Sequence, residues 1–223
     1  MTETKSLDEF LDEKKDYSPF LVHLTKDCEF PAKVVLDTIL SEKKLKAFNH
    51  FCLFSPNLGK QNTDLQAKFR AVSFTETPIN QIRVLLTELG GRNFKPKPYG
   101  LVFTKEYIRE KRGNPVFYVT KKIAHPLWQL YWPICEEDVA QPSDELCKLL
   151  ALVTICEKLN DWHWEREWRV IGGFGFKLED IYCGFCPEGD IEYFEKKYPP
   201  LKFISPNWSR TKILAKVLDH AGR

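Results

Sequence analysis

The chain has 223 residues, 43% of them hydrophobic and 29% charged, which is enough to bury one full core. Its formal net charge of +2 excludes a strong field toward nucleic acid or a membrane surface, although a nucleic acid could still be held locally. No apolar run approaches the about 20 residues that span a bilayer. We predict one domain over residues 1–223, in which residues 1–18 could be a loosely packed N-terminal segment.

The cysteine content and the N-terminal residues both indicate the cellular compartment of the protein. The seven cysteines are odd in number and irregularly spaced, which is typical of a reducing cytosol. A signal peptide has basic and then apolar residues, whereas this N-terminus carries Asp8, Glu9, Asp12 and Glu13. We therefore expect a cytoplasmic protein with no membrane partner.

Strands alternate with helices in the first half of the chain. The run at residues 20–25 is short and apolar, as in a buried strand. Pro31 suits the first position of a helix, and lysines 43, 44 and 46 would lie in its last turn. Residues 71–74 predict a second strand, and the Thr77-Pro78 pair that follows caps a helix stopped by the glycines at 90 and 91.

The second half adds shorter strands and helices. A helix capped by Ser143 has Leu146, Leu149, Leu150 and Val153 on its apolar face, whereas residues 123–139 are aromatic and hard to assign. The other predicted elements are strands at residues 99–103, 116–119, 181–185 and 203–204, helices at 105–112 and 191–197, and a helix or strand at 212–218. This mixture predicts an α+β fold.

The most unusual segment is Trp162-His163-Trp164-Glu165-Arg166-Glu167-Trp168-Arg169. On a strand, successive side chains point to opposite faces, so Glu165, Glu167 and Arg169 would share one face. A strand face with these charges is either exposed to solvent at the edge of a sheet, where the charges form an ion pair, or part of a functional site. Arg169 fits a structural salt bridge better than a catalytic role.

Two other predicted strands also place polar groups on one face. His23 and Thr25 share a face of the first strand, and Ser73 and Thr75 share a face of the second. A single buried histidine is more often a satisfied core residue than a ligand-binding one. Because buried polar groups cost free energy unless they are paired, three such strands in one chain indicate a cleft.

The order of these motifs resembles the AbiGi-type abortive phage-resistance proteins. Through them it resembles the ADP-ribosyltransferase superfamily, including DarT-like modifiers of nucleic acid. The resemblance extends over residues 21–185. It is carried by His23-x-Thr25, a helix ending in Leu45-Lys46-Ala47, Ser73-Phe74-Thr75-Glu76 with Pro78, and Glu165-x-Glu167-Trp168-Arg169.

The resemblance implies a fold, a substrate and roles for the motif residues. The fold would be an ADP-ribosyltransferase-like split β-sandwich with flanking helices that binds NAD, as substrate and without a metal, in a cleft. His23 and Thr25 would anchor NAD, and residues Ser73, Phe74 and Thr75 would support its site. Glu167 would be the catalytic glutamate, and Glu165 would position the acceptor. Phe74, Tyr99 and Trp162 are alternatives for the ring that stacks on nicotinamide.

The chemistry agrees with these roles. Cleavage of the nicotinamide glycosidic bond builds positive charge on the ribose, and a fixed carboxylate stabilises that charge. A second carboxylate nearby can orient or deprotonate an acceptor. We therefore expect a bacterial phage-defence or toxin–antitoxin transferase that modifies a macromolecule, with nucleic acid slightly preferred over protein, and that has an antitoxin partner. The alternative is a non-catalytic binding module or antitoxin component with the same fold.

Redox and metal chemistry are weaker alternatives. Cys183 and Cys186 form a Cys-x-x-Cys motif, which fits the end of a strand as well as a redox site. His163 and Cys156 could add zinc ligands, but their spacing to Cys183 matches no standard pattern. The glycines at 172, 173 and 175 lack the Lys-Ser/Thr of a phosphate-binding loop.

Overall fold

The computed structural model describes residues 17–87, 95–136, 143–157 and 161–221. These residues confirm a mixed α+β class and form two compact units. Unit 1 comprises the described parts of residues 1–38, 76–105 and 178–223, and unit 2 comprises those of 39–75 and 106–177. The single domain over residues 1–223 stays a prediction, and residues 1–16 of the predicted N-terminal segment and the glycines at 90 and 91 lie outside the described residues.

The strands and helices are numbered here in chain order. The strands are β1 Phe20–Leu24, β2 Lys44–Leu45, β3 Ala71–Thr75, β4 Gly100–Thr104, β5 Asn114–Pro115, β6 Phe117–Val119, β7 Val153–Ile155, β8 Glu167–Ile171, β9 Phe174–Gly175, β10 Cys183–Phe185 and β11 Phe203–Ile204. The helices are α1 Ala32–Glu42, α2 Ser55–Leu58, α3 Thr63–Phe69, α4 Ile82–Leu85, α5 Lys105–Glu110, α6 Lys121–Glu136, α7 Asp144–Leu150, α8 Ile191–Lys197 and α9 Arg210–Ala221. Short 3₁₀ turns lie at Ile79–Gln81, His163–Glu165, Leu178–Asp180 and Glu188–Asp190.

Unit 1 is built on four strands. β4 pairs antiparallel with β1 and with β10, and β10 pairs parallel with β11. At Gly100 a Cβ atom would lie 2.3 Å from the His23 carbonyl oxygen, so only glycine allows β4 to approach β1 this closely. One core cluster joins apolar residues of these strands to helical residues, namely Val22, Leu24, Ile82, Leu85, Val102, Cys183, Phe185, Ile204 and Ile213.

Unit 2 is built around β8. This strand pairs antiparallel with β3 and β5, while β6 pairs parallel with β7 and β2 pairs antiparallel with β9. Its buried core cluster comes mainly from helices, and it contains Leu53, Phe54, Leu58, Leu65, Phe69, Ala124, Trp132, Cys147, Leu150, Ala151 and Val153. The β3–β8 register places Ser73 opposite Arg169 and Thr75 opposite Glu167, which fixes the geometry of the candidate site.

Three sequence predictions about helices are corrected. α1 ends at Glu42, and Lys43 adopts a positive φ of 51°, so the three lysines follow the helix instead of forming its last turn. Ser143 caps α7 by accepting from the Leu146 N–H, but the helix ends at Leu150 and Val153 begins a strand. The helix predicted after Pro78 is a 3₁₀ turn followed by the single turn of α4.

Most of the aromatic segment that the sequence left unassigned is helical. α6 extends over Lys121–Glu136 and contains Pro126 and Pro133. Proline inside a helix removes a backbone donor, and for that reason the sequence pattern did not indicate a helix. Packing supplies the stabilisation, since Ala124 and Trp132 are buried in the unit 2 core while Ile123 and Leu130 are exposed.

Across the four described ranges, no helix combines the length and apolar character needed to cross a membrane.

Candidate functional site

The Glu-Arg-Glu motif is not a continuous strand. His163–Glu165 forms a 3₁₀ turn, Arg166 has a left-handed φ of 49°, and β8 begins only at Glu167. The Arg166 N–H donates to the His163 carbonyl, and the Thr75 hydroxyl donates to the Glu165 carbonyl at 2.6 Å. The prediction that Glu165 and Glu167 share one strand face is therefore wrong, because the left-handed residue between them breaks the alternation.

Glu167 is held by two side chains of unit 2. Arg169 binds it in a bidentate manner, with Nε 2.9 Å from Oε1 and Nη2 2.8 Å from Oε2. The Ser73 hydroxyl donates to Oε1 at 2.6 Å. Charge-assisted bidentate pairs are among the stronger hydrogen bonds in proteins, so the carboxylate has one fixed orientation. Glu167 and Arg169 lie on the same face of the strand, as the alternation predicts.

Arg169 is itself anchored in the core of unit 2. Its side chain is 3% exposed, and its Nη1 donates to the Ala151 carbonyl at 2.8 Å. A buried guanidinium needs such partners, because an unpaired buried charge is strongly destabilising. The arginine thus ties the position of the Glu167 carboxylate to the end of α7, as expected for a structural salt bridge.

The Glu167 carboxylate retains capacity for a ligand. An ionised carboxylate offers about four lone-pair positions. The described residues fill three of them, two on Oε1 and one on Oε2. Because the side chain is 17% exposed, Oε2 can accept one further hydrogen bond from a hydroxyl of a bound molecule.

Tyr118 on β6 is a neighbour that the sequence analysis missed. Its ring packs edge-on against His163, with ring centroids 5.3 Å apart, and its hydroxyl is buried next to the Glu167 backbone. Burial raises the pKa of the Tyr118 phenol well above its usual value, and the charges of Glu167 and Glu165 raise it further. No motif pointed to this residue, since the segment at 116–119 has the pattern of an ordinary strand.

The three aromatic candidates for nicotinamide stacking lie in different settings. Phe74 is 3% exposed and stacks on Phe174 at 6.2 Å, as a core residue does. Tyr99 belongs to unit 1, where its hydroxyl donates to Asp190 at 2.6 Å. Trp162 lies 6.0 Å from the ring of Trp164, at the start of the motif segment. Of the three, Trp162 lies in the same segment as both glutamates.

His23 and Thr25 belong to unit 1. His23 lies on β1 opposite Leu101 and is half-buried. Thr25 is 3% exposed, and its hydroxyl lies 3.2 Å from the Ala32 carbonyl oxygen and 3.1 Å from that of Tyr99. The hydroxyl of Thr25 is therefore hydrogen-bonded to the backbone of unit 1. The other predicted site residues that contact one another are Ser73 with Glu167 and Thr75 with Glu165, all in unit 2.

Thr25→Val should destabilise the protein with little effect on NAD affinity. Valine keeps the shape and removes the buried hydroxyl, so we expect a loss of about 1 kcal/mol in the free energy of unfolding. Urea denaturation and calorimetric NAD titration measure the two effects. Thr38→Val is the control, since that hydroxyl is exposed on α1. A large loss of NAD affinity with unchanged stability would show that Thr25 contacts the dinucleotide directly.

The cysteine pair has the features of strand residues. Cys183 begins β10, and both Cys183 and Cys186 are buried. Burial raises the pKa of the Cys183 thiol far above its usual value and that of Cys186 to about 12. A redox motif needs a lowered thiol pKa, so this pair is poorly suited to thiol exchange. Within the described ranges, no group of three or more His, Cys, Asp or Glu residues is arranged to hold a metal ion.

Comparisons with known proteins do not assign the chain to a family. No family model, no curated protein and no solved structure matches it. The resemblance to AbiGi-type proteins and to ADP-ribosyltransferases therefore stays a prediction. The function has to be inferred from the residues around Glu167.

Proposed function

We propose that the protein is an NAD-dependent ADP-ribosyltransferase with Glu167 as its catalytic carboxylate. The observation that carries this proposal is the fixed Glu167 side chain, oriented by Arg169 and Ser73 with one acceptor position left on Oε2. A preorganised charge requires no reorganisation when positive charge develops on a bound ribose. The Ser-x-Thr strand also pairs with the strand of Glu167, in agreement with the supporting role that the resemblance implies.

In the proposed reaction, Glu167 assists cleavage of the nicotinamide bond and Glu165 assists transfer to the acceptor. NAD binds with a ribose hydroxyl donating to Oε2 of Glu167, and the bond between C1 of that ribose and the nicotinamide nitrogen breaks. The nitrogen keeps the electron pair, so neutral nicotinamide leaves and an oxocarbenium-like ribose forms beside the carboxylate. A nucleophile of the acceptor then bonds to C1, and its proton passes to Glu165 and from there to solvent.

The wider proposal follows the resemblance. The fold would be the ADP-ribosyltransferase-like split β-sandwich with flanking helices, and His23 would contact NAD. Thr25, for which the resemblance implies the same role, would instead position β1, because its hydroxyl bonds inside unit 1. The acceptor would be a macromolecule, with nucleic acid preferred over protein, and an antitoxin protein would neutralise the activity in a bacterial phage-defence system. What supports these points is the order of the motifs along the chain and the pairing of the two motif strands in unit 2.

Incubation with labelled NAD tests the proposal directly. The purified protein is mixed with NAD labelled in its adenylate part, and with total RNA, total DNA or total protein in separate reactions. We expect label in the RNA or DNA fraction and free nicotinamide in equal amount. Release of nicotinamide without label in any fraction would leave a glycohydrolase, and no release in any reaction would refute the transferase.

One observation favours a non-catalytic binding module as the second candidate. The bonds that occupy Glu167 are those of an ordinary structural ion pair, which a binding domain would also contain. Growth after induced expression separates the two functions. A transferase toxin arrests growth in a manner that needs Glu167, whereas a binding module leaves cells healthy with either Glu167 or Gln at this position.

A further inference from the structure

Helix α6 of unit 2 has an apolar stripe on its solvent side. Ile123 is 57% exposed and Leu130 is 62% exposed, and Pro126 and Pro133 are exposed as well. At about 100° per residue, these four positions lie within an arc of about 80° around the helix axis. Single exposed apolar residues are common on protein surfaces, whereas a contiguous apolar stripe marks an interaction surface.

The stripe is separate from the face by which α6 packs on unit 2. Ala124 and Trp132 are buried in the core cluster of unit 2, and Leu127, Trp128 and Tyr131 pack partly buried against it. The described positions of α6 that are exposed and not apolar are Lys121, Lys122, His125 and Gln129. The helix therefore has more apolar surface than the folding of unit 2 requires.

The charged residues of α6 are placed against its own helix dipole. Lys121 and Lys122 lie in the first turn, and Glu136 is the last residue of the helix. The dipole favours acidic residues at the amino end and basic residues at the carboxyl end, which is the opposite order. Lys121 pairs with Glu157 at 3.1 Å, and Lys122 is exposed. A second helix of the same kind, lying antiparallel, would bring its negative carboxyl end to Lys122, so α6 is complementary in charge to another α6.

We propose that the stripe is the interface of a homodimer, in which the α6 helices of two copies pack antiparallel about a two-fold axis. The axis crosses the stripe at its midpoint. Ile123 then lies opposite Pro133 of the partner subunit. Pro126 lies opposite Leu130 of the partner subunit. Each stripe residue is thus covered by another one, as a two-fold interface requires. This interface does not depend on the proposed transferase function.

A single pair of helices sets the strength of this dimer. α6 has 16 residues and is therefore about 24 Å long. Interfaces that bury less than about 1,200 Å² are typical of weak and transient complexes. We therefore expect a dimer with a Kd on the order of 10 µM, which analytical ultracentrifugation of the full chain can measure.

Leu130→Glu tests the apolar part of the interface. The change puts a charge near the two-fold axis in both copies, so the Kd of the dimer should rise about a hundredfold or more. The far-UV circular dichroism should stay the same, because Leu130 is exposed in the single chain. Leu149→Glu is the control, since that residue is 53% exposed on α7, and its Kd should equal that of the wild type. A wild type that stays monomeric at about 200 µM, or a dimer that Leu130→Glu does not weaken, would overturn the proposal.

Charge reversal tests the antiparallel order of the two helices. Lys122→Glu alone and Glu136→Lys alone should each raise the Kd about fivefold, as expected for exposed charges at the rim of an interface. The two changes together restore opposite charges at each end of the helix pair, so the affinity should recover. Losses that multiply in the double variant would show that the two ends do not meet, and the proposed arrangement would be wrong.

Cross-linking measures the direction of packing independently. Cys28 is exposed and Cys135 belongs to α6, so both are first changed to Ser, and one cysteine is then added as Leu130→Cys or as Ile123→Cys. Two cysteines at position 130 would be offset by about 6 Å along the helix axis, and two at position 123 by about 15 Å. A short thiol cross-linker should therefore join the Leu130→Cys copies only. Equal cross-linking of both variants would indicate a parallel pair, and no cross-linking of either would exclude the interface.

Discussion

Glu167→Gln should abolish most NAD turnover. Glutamine keeps the shape of the side chain but removes the negative charge that would stabilise the oxocarbenium-like ribose. Deletion of one preorganised electrostatic group typically slows a reaction about a hundredfold or more, or about 2.7 kcal/mol in the activation free energy. Turnover is measured as nicotinamide release and as label transferred to the acceptor.

The comparison needs a folded variant and a matched control. Glutamine leaves the buried Arg169 without a charged partner, so Glu167→Gln will melt at a lower temperature, and activity should be assayed well below that point. Glu145→Gln makes the same change at an exposed position on α7 of unit 2 and should keep full activity. Near wild-type turnover in Glu167→Gln would show that another group stabilises the transition state.

Arg169→Ala should be among the most destabilising single changes in unit 2. The side chain is 3% exposed, and it holds both Glu167 oxygens and the Ala151 carbonyl. Removing one partner of a buried ion pair typically costs about 3–5 kcal/mol. We therefore expect a large fall in the free energy of unfolding, measured by urea denaturation, together with loss of activity because Glu167 is no longer oriented.

The control for Arg169 is an ion pair at the surface. Lys148→Ala removes one of the two cations paired with Glu145 on α7, and exposed pairs of this kind contribute little to stability. Its denaturation midpoint should stay close to that of the wild type. An unchanged denaturation midpoint for Arg169→Ala would mean that the ion pair of Arg169 and Glu167 is exposed to water in solution. The conclusion that the Glu167 carboxylate has one fixed orientation would then be wrong.

The parts of the site that follow from local backbone geometry could be predicted from the sequence. Alternation along a strand put Glu167 and Arg169 on one face, and apolar runs gave the positions of β1 and β3. The pairing of Ser73 with Glu167 joins residues 94 positions apart. The resemblance implied a supporting role for Ser73 but not this contact, because strand register is set by the whole unit and not by the segment itself.

Two features had no usable signal in the sequence. The left-handed φ of Arg166 is unusual for a residue with a side chain, and nothing in the motif distinguishes it from a continuous strand. α6 contains two prolines, and its stability comes from burying Trp132 and its neighbours in the core of unit 2. In both places tertiary contacts override the local preference of the chain.

The division of the chain into units has a consequence for its synthesis. Unit 2 is complete once Lys177 has been made, whereas unit 1 needs β11, which ends at Ile204. At ribosomal rates of about 5–20 residues per second, the intervening segment takes about 1–5 s to appear. Until β10 is complete at Phe185 the nascent chain presents an unpaired edge of the apolar strand β4, and from then until Ile204 it presents the unpaired edge of β10. We therefore expect chaperones to bind nascent chains that stall between these two positions.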